Sequence, residues 1–431
     1  MSASGHLVIT GAGAVCGAGL TIDAIWNAIR DGRCAIAPIT QWDASAWPAR
    51  FAAEVTGIDN RTLVDDRKLH KIISRTDLFG LYAAGVAIQQ SGLIAHREAL
   101  QPDAAAHFAD RSGVFAGSGG GTYQNTYDFF PLLSAAEGRL PAFGRELGGT
   151  VNPMWLLKHL PNNVLCHVGI RHGFKGTNAC ITNQCVGGAM AVAEAASAIR
   201  AGEADRAVAV GHDAPIEPET VFHYHRLGLL STKTLRPFDR ERSGTVFGEG
   251  AAAVILEKAD DARARGATIL GEFLGSGCVT EGTGLLAVRP DGEGMARAIQ
   301  IALQDAGVSR ESIGLVVAHG NGTRNSDASE AEGIRRAFNG SPPPVTAFKW
   351  AFGHLIAGSG VIDMVLALAA LREGFVPGIP TLNSPDPDIA PFPVSSKPQT
   401  PGSRIGLICC RGFGAMNVAL VVRAEPQAPE A

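Results

Sequence analysis

Three side chains suited to covalent acyl transfer fall where an apolar run gives way to a glycine-rich turn or a helix start: Cys180, His319 and His354. Cys180 lies in FKGTNACITNQCVGGAMAVAEAASAIR, where Thr177, Asn178 and Thr182 offer caps and the small-residue run beyond them opens a long helix. A thiol at a helix N-terminus meets unpaired N–H groups and the positive end of the dipole, which favours the thiolate. Read alone, Cys180 also fits a buried structural cysteine, and Cys185, expected inside the helix away from its dipole end, takes only that structural reading. His319 closes GLVVAHGNGT and His354 opens the helix of KWAFGHLIAGSG. Each alone fits a satisfied core histidine. Together, a thiolate and two imidazoles suit thioester chemistry, one group to carry an acyl chain and two to stabilise a developing enolate or oxyanion.

The elements that must position them alternate between apolar, Val/Ile/Ala-rich runs and long helical patterns, which predicts an α/β architecture with strands buried on both faces. Strands are expected at His6 to Thr10, Gly113 to Ala116, Ala207 to Gly211, Ala251 to Glu257, Leu315 to Ala318, Val345 to Phe348, Ile405 to Cys409 and Val418 to Val422. One shape occurs twice: a small-residue segment opens a helix (Val186 to Gly202; Val361 to Gly374), and two strands follow it. The repetition predicts an internal duplication, with halves at 1–258 and 259–431. The charged, Ala-rich stretch from Glu257 to Gly266 reads as a surface helix joining them. Residues 376–402 are Pro-rich and predict an extended surface loop, and AEPQAPEA at 424–431 reads as a disordered tail.

The 431 residues call for two or three core-forming units. With 46% hydrophobic residues, and 37 basic against 41 acidic side chains, the composition excludes disorder and argues against a polyanion partner such as nucleic acid. Glycine, at 53 residues, implies many tight turns. The start MSASGHLVITGAGAV lacks a signal-peptide pattern, and the longest apolar helix, Val361 to Leu371, is too short to span a bilayer and carries Asp363, so a cytoplasmic protein without membrane contact is expected. The eight cysteines show no metal spacing and are expected reduced, so no metal is expected.

The motifs LVITGAGAVCGAG (7–19), RSGVFAGSGGG (111–121), NAC (178–180), RPFDRERSGTVFGEGAAAVILE (236–257), AHGNGT (318–323), KWAFGHLIAGSG (349–360) and GFGAMN (412–417) together resemble the β-ketoacyl-acyl carrier protein synthases of the thiolase-like superfamily. The resemblance covers nearly the whole chain in family order. It implies a thiolase-like α/β fold, two duplicated halves forming a five-layered core, and decarboxylative condensation of an acyl group with a malonyl thioester to give a 3-oxoacyl-carrier protein. It makes Cys180 the acyl-accepting nucleophile, His319 and His354 the groups that bind the malonyl thioester and promote decarboxylation, and the backbone N–H groups of Cys180 and Arg411 the oxyanion hole. Lys349 and Asp363 become a buried ion pair ordering the histidine loops, with Asp363 standing where the family has glutamate. Asp327 and Glu330 match acidic positions read as structural. Asn321, Thr323, Gly412, Phe413 and Gly414 are implied to meet the pantetheine arm or the acyl chain, and Gly120 to deepen the acyl pocket.

No metal or organic cofactor is implied, since the phosphopantetheine belongs to the carrier-protein partner. A homodimer, or a heterodimer with a paired ketosynthase-like subunit, is implied as well. Arg61, Arg67, Lys68, Lys71 and Arg75 are candidates to dock an acidic carrier. Departures from the family pattern concern substrate. Arg411 replaces a gating phenylalanine, which either favours a polar or anionic group, or a phosphate, or leaves the gate lost with Arg411 in solvent. NACITN and HGNGT also differ from the usual motifs, and the set suggests specialised polyketide, aryl-polyene or resorcinol-type synthesis, with fatty-acid synthesis the other setting. A thiolase, or a non-catalytic chain-length-factor-like partner subunit, are the other readings.

Overall fold

The computed structural model describes residues 6–120, 129–389 and 391–426; most of the expected tail, and the last glycine of RSGVFAGSGGG, lie outside them. Ten strands carry the fold: β1 (Leu7–Cys16), β2 (Ser112–Ser118), β3 (Asn178–Ile181), β4 (Arg206–Asp213), β5 (Gly250–Lys258), β6 (Gly271–Thr280), β7 (Leu315–Val317), β8 (Val345–Thr346), β9 (Ile405–Gly412) and β10 (Met416–Ala424). They run in the order β8-β7-β9-β10-β6-β1-β5-β4-β2-β3. Within each half the order is the same: third, second, fourth, fifth, first. The halves join where Leu7, Val8 and Ile9 of β1 pair with Phe273, Glu272 and Gly271 of β6.

Five helices complete the layers: α1 (Arg75–Ser91), α2 (Gly187–Arg200), α3 (Glu293–Ala306), α4 (Arg324–Ala337) and α5 (Ser359–Glu373). Odd-numbered residues of β5 (Ala251, Ala253, Ile255) pack in one apolar cluster with α1, and even-numbered ones (Ala252, Val254, Leu256) in another with α2, so this strand is buried on both faces. Helices α2 and α5 pack on each other in the centre, and α3 covers the far side against β6 and β10 with α4 packed on it. The result is a helix–sheet–helix–sheet–helix stack. Every residue of α5 from Ser359 to Leu371 is buried, the pattern of a helix with no solvent face.

Strands β3 and β6 were not expected from the sequence. In β6 (GEFLGSGCVT) the glycines break the apolar pattern for a packing reason: a Cβ at Gly275 would lie 2.4 Å from Ala306 N, and one at Gly277 2.1 Å from Ala298 O. Only bare backbone lets α3 lie this close.

Bare backbone also sets the centre of the molecule. A Cβ on Gly188 would stand 2.2 Å from the Ala357 carbonyl oxygen, and one on Gly211 2.5 Å from the same atom. The first turn of α2, strand β4 and the turn leading into α5 are thus locked together through main-chain contact. Gly188→Ala forces that contact apart, and overpacking of this kind costs about 1–3 kcal/mol. The urea midpoint of this variant is expected to fall accordingly; a midpoint equal to wild type would show the contact to be loose.

Candidate active site

Two tight turns face each other across the central contact. Residues Gln184–Val186 form a 3-10 turn running straight into α2, and Ile356–Gly358 form one running into α5. Gln184 and Ile356, neither of them glycine, adopt left-handed backbone with φ of 47° and 46°. Such strain persists only where the surroundings impose it and clusters at functional sites. Cys185 follows the first strained residue, and His354 lies two residues before the second.

The His354 main chain is fixed by its N–H donating to Val246 O at 2.7 Å, while its carbonyl accepts from Gly248 N–H at 3.0 Å. Its ring Nδ1 accepts from the Ile356 N–H at 3.1 Å and lies 2.9 Å from Ser359 Oγ. In a neutral ring the proton therefore sits on Nε2, which has no partner among the described residues and acts as a donor. His319 is held by Glu330, whose buried carboxylate accepts from the His319 N–H (2.7 Å) and the Gly320 N–H (2.9 Å). Asp327 accepts from Phe238 N–H and Gly322 N–H on the same loop. The two imidazoles stand edge to face with centroids 5.1 Å apart.

Beneath them Lys349 Nζ meets Asp363 Oδ2 at 2.8 Å, with both side chains fully buried. Burial, with the Lys349 cation second, holds both histidines well below the ordinary imidazole range, so both are neutral at pH 7.

Cys185, His319, His354, Asn321, Thr323 and Arg411 line one cavity of about 500 Å³, together with Gly412 and Phe413. Asn321 Oδ1 accepts from the Thr323 N–H and hydroxyl at 3.0 and 2.8 Å, pinning the turn before α4. Burial pushes the Cys185 thiol up to about 12, although Lys349 pulls it down. The resting group is a protonated thiol beside two neutral imidazoles.

The expected position of Cys180 at a helix N-terminus is corrected by the structure. This residue is in β3, paired in register with Ala116 of β2, seven residues before α2 begins. Its thiol donates to the Pro161 carbonyl at 3.2 Å, and burial, then Cys166 and Asp77, raise its pKa rather than lower it. It does not line the cavity, and its N–H belongs to a strand rather than to a helix start. The expected place of Cys185 inside the helix is corrected likewise, because Cys185 stands in the turn ahead of α2.

Gly120 and Gly414 also lie outside the lining. A Cβ at Gly120 would meet only Thr182, at 3.8 Å. Arg411 does not swing to solvent: it is 3% exposed, and its Nε donates to Asn417 Oδ1 at 2.8 Å. Of the proposed docking cations, Arg75 is committed to Glu249, and the other four are exposed. Glu281 and Ser359 were not singled out from the sequence.

Comparison with known proteins gives the family. The model of the β-ketoacyl synthase N-terminal domain matches residues 5–262 and that of the C-terminal domain residues 270–384. The chain belongs to the β-ketoacyl synthase family. It is 31% identical to a 3-oxoacyl-[acyl-carrier-protein] synthase 2 of Synechocystis sp., over 97% of this chain and 98% of the relative. It is 30% identical to nodulation protein E of Rhizobium sp., over 97% and 99%. Among solved structures, the ishigamide ketosynthase/chain length factor superposes with a TM-score of 0.84 at 27% identity, covering 97% of this chain and 99% of that one. The thiolase-like fold is therefore shown, and among the described residues no helix is long and apolar enough to cross a membrane.

Removing the cation under the histidines tests the electrostatics. Lys349→Met takes away a charge that lowers both imidazole pKa values, so both rise and each ring protonates at a higher pH. The acid limb of the malonyl-decarboxylation rate is expected to move upward in pH, with stability falling by about 3–5 kcal/mol from the orphaned carboxyl. An unmoved limb in folded protein would show that burial alone sets the histidine charge.

Proposed function

We propose that this ketosynthase-family chain joins an acyl group, carried on Cys185, to a malonyl thioester with loss of carbon dioxide, giving a 3-oxoacyl thioester on a carrier protein. The observation that carries this reading is the convergence of Cys185, His319 and His354 on one cavity, with the thiol at a strained turn ahead of a helix. The name of the Synechocystis relative supports the 3-oxoacyl product and the carrier-protein partner.

In the first half-reaction the Cys185 sulfur attacks the acyl thioester carbonyl. The C–S bond to the carrier breaks, and the Cys185 proton leaves with the carrier thiol. The backbone N–H groups of Cys185 and Arg411 hold the oxyanion. In the second, the malonyl carboxylate departs as carbon dioxide, and the electron pair left behind forms an enolate on the thioester. His354, donating from Nε2, and His319 stabilise the enolate oxygen; neutral donors suit this because the charge appears only as the bond breaks. The enolate carbon attacks the acyl-enzyme, the C–S bond to Cys185 breaks, and the departing thiolate takes a proton from water in place of the one that left with the first carrier thiol. No cofactor is invoked, since carbon dioxide loss drives the step.

A paired subunit, a second copy or a chain-length-factor-like partner, is proposed along β3. That strand is an edge of the sheet, and Leu140, Leu156 and Ile170 ahead of it are exposed. The ishigamide pair offers a precedent for the heterodimer. The carrier is proposed to dock through the exposed Arg61, Arg67, Lys68 and Lys71. A thiolase would need a second cysteine in the cavity, and among its lining residues Cys185 stands alone.

Intact-mass analysis after incubation with acyl-carrier protein checks the assignment. Wild type and Cys180→Ala are expected to gain the acyl mass, and Cys185→Ala to lose it entirely with an unchanged melting temperature. Malonyl-carrier protein added next should release a chain two carbons longer. Acylation of Cys185→Ala, with loss of it in Cys180→Ala, would return the nucleophile to the strand.

A further inference from the structure

Asp213 ends β4 between the two strained turns, and no step of the proposed chemistry uses it. Its Oδ1 accepts from the Ala214 N–H at 2.8 Å, and its carboxylate also accepts from the N–H of Ala357, the middle residue of the turn before α5. On its other side Oδ2 lies against Gly119, where a Cβ would come within 1.8 Å of it. The Gly119 carbonyl in turn accepts from Gln184 Nε2 at 2.6 Å. The carboxylate is thus tied directly to the turn that follows His354, and through one residue to the turn that carries Cys185. Asp213 as a residue keeps partial exposure, but its carboxyl is enclosed by these main-chain neighbours.

The charges around it differ from those at the other carboxylates of the site. Asp327, Glu330 and Asp363 each face a cation, respectively Arg242, Arg411 and Lys349. Among the described residues no cation faces Asp213. Gly119 and Gly250 bring no charge from the ends of β2 and β5, Glu249 is committed to Arg75, and the His212 ring turns to Thr76, neutral above about pH 4. The group that registers its charge is Cys185, whose thiol, raised first by burial, is pulled down by Lys349 and pushed up by Asp213. Burial without a counter-charge raises the Asp213 carboxyl to about 7, so it changes charge across neutrality while Lys349 stays charged and His319 and His354 stay neutral. We propose that Asp213 is a positioning residue for acyl transfer, bracing the Cys185 turn against the turn that follows His354 and, when ionised, opposing loss of the Cys185 proton. The inference rests on the proposed role of Cys185 as nucleophile and adds a group that tunes it.

The first test is the rate at which dithiodipyridine modifies Cys185, read from the Cys185 peptide between about pH 5.5 and about pH 9, because that rate follows the thiolate fraction. Asp213→Asn is expected to match wild type at the acid end and to react at least threefold faster at the alkaline end, the two diverging near neutrality. A ratio constant across the range would make Asp213 a structural strut only. The second test is single-turnover acylation by hexanoyl-carrier protein at about pH 6, read by intact mass. Asp213→Ala, without an acceptor for the Ala357 N–H, is expected to lose at least tenfold, and Asp213→Asn, which keeps one, to stay within twofold of wild type. Equal rates in all three would remove the bracing role. Should a variant fail to fold, wild type alone decides: its thiol modification must climb less steeply with pH near neutrality than on either side, and an even climb would overturn the proposal. Failure of wild type to be acylated would overturn the proposed function instead, since the thiol profile judges Asp213 without any acyl donor.

Discussion

The whole site depends on main chain touching main chain where α2, β4 and the turn before α5 meet. Gly188 and Gly211 supply that approach, since a single Cβ on either would collide with the Ala357 carbonyl. The contact places the turn carrying Cys185 against the turn that follows His354, and each enters its helix through a residue in left-handed backbone. Such a residue costs roughly 1–3 kcal/mol, so two of them stand only because sheets and helices on every side leave no other path. The rigidity that follows is what thioester exchange needs, because a thiol and two imidazoles must converge within tenths of an ångström.

The same burial that makes the turns rigid also sets the charges of the site. Lys349 and Asp363 neutralise each other beneath the histidines, and Glu330 gives both its oxygens to backbone N–H groups of the His319 turn. Removing either partner leaves a buried charge unpaired, which makes the pair an all-or-none support. Its influence on the chemistry is indirect: burial first, and then the Lys349 cation, keep both rings neutral. The resting cavity thus holds a thiol and two neutral imidazoles. Charge develops there only as the thioester carbonyl or the malonyl carbon takes it up, and preoriented donors are worth most at that moment.

Much of this was legible in the sequence, for physical reasons that differ by residue. Buried two-sided strands such as β4 and β5 read as continuous apolar runs, and His319, His354, Lys349 and Asp363 fall at fixed distances from them. Cys180 reads as a helix-entry thiol because NAC carries good capping neighbours, but the segment is a strand. The signal that separates the two cysteines is the duplication. When the two helix entries are superposed as Gln184-Cys185-Val186-Gly187-Gly188 on Ile356-Ala357-Gly358-Ser359-Gly360, Cys185 falls on the turn residue and Cys180 falls before it. Strand β6 was hidden for the opposite reason, since glycines that serve α3 erase the pattern a strand would show.

Arg411 illustrates what sequence alone leaves open. Its position in the motif before GFGAMN was legible, but an arginine there was compatible with opposite fates, pointing at a ligand or escaping to water. The fate is decided by residues that carry no motif: Glu281 in the loop after β6, Asn417 near the start of β10 and the Ser326 carbonyl in the first turn of α4. They converge only after both halves have folded. Between them they offset the charge and satisfy two of the three guanidinium nitrogens, so the cation can remain inside. The nitrogen they leave over stands 3.5 Å from the buried Glu281 carboxylate, so charge holds it where no hydrogen bond does.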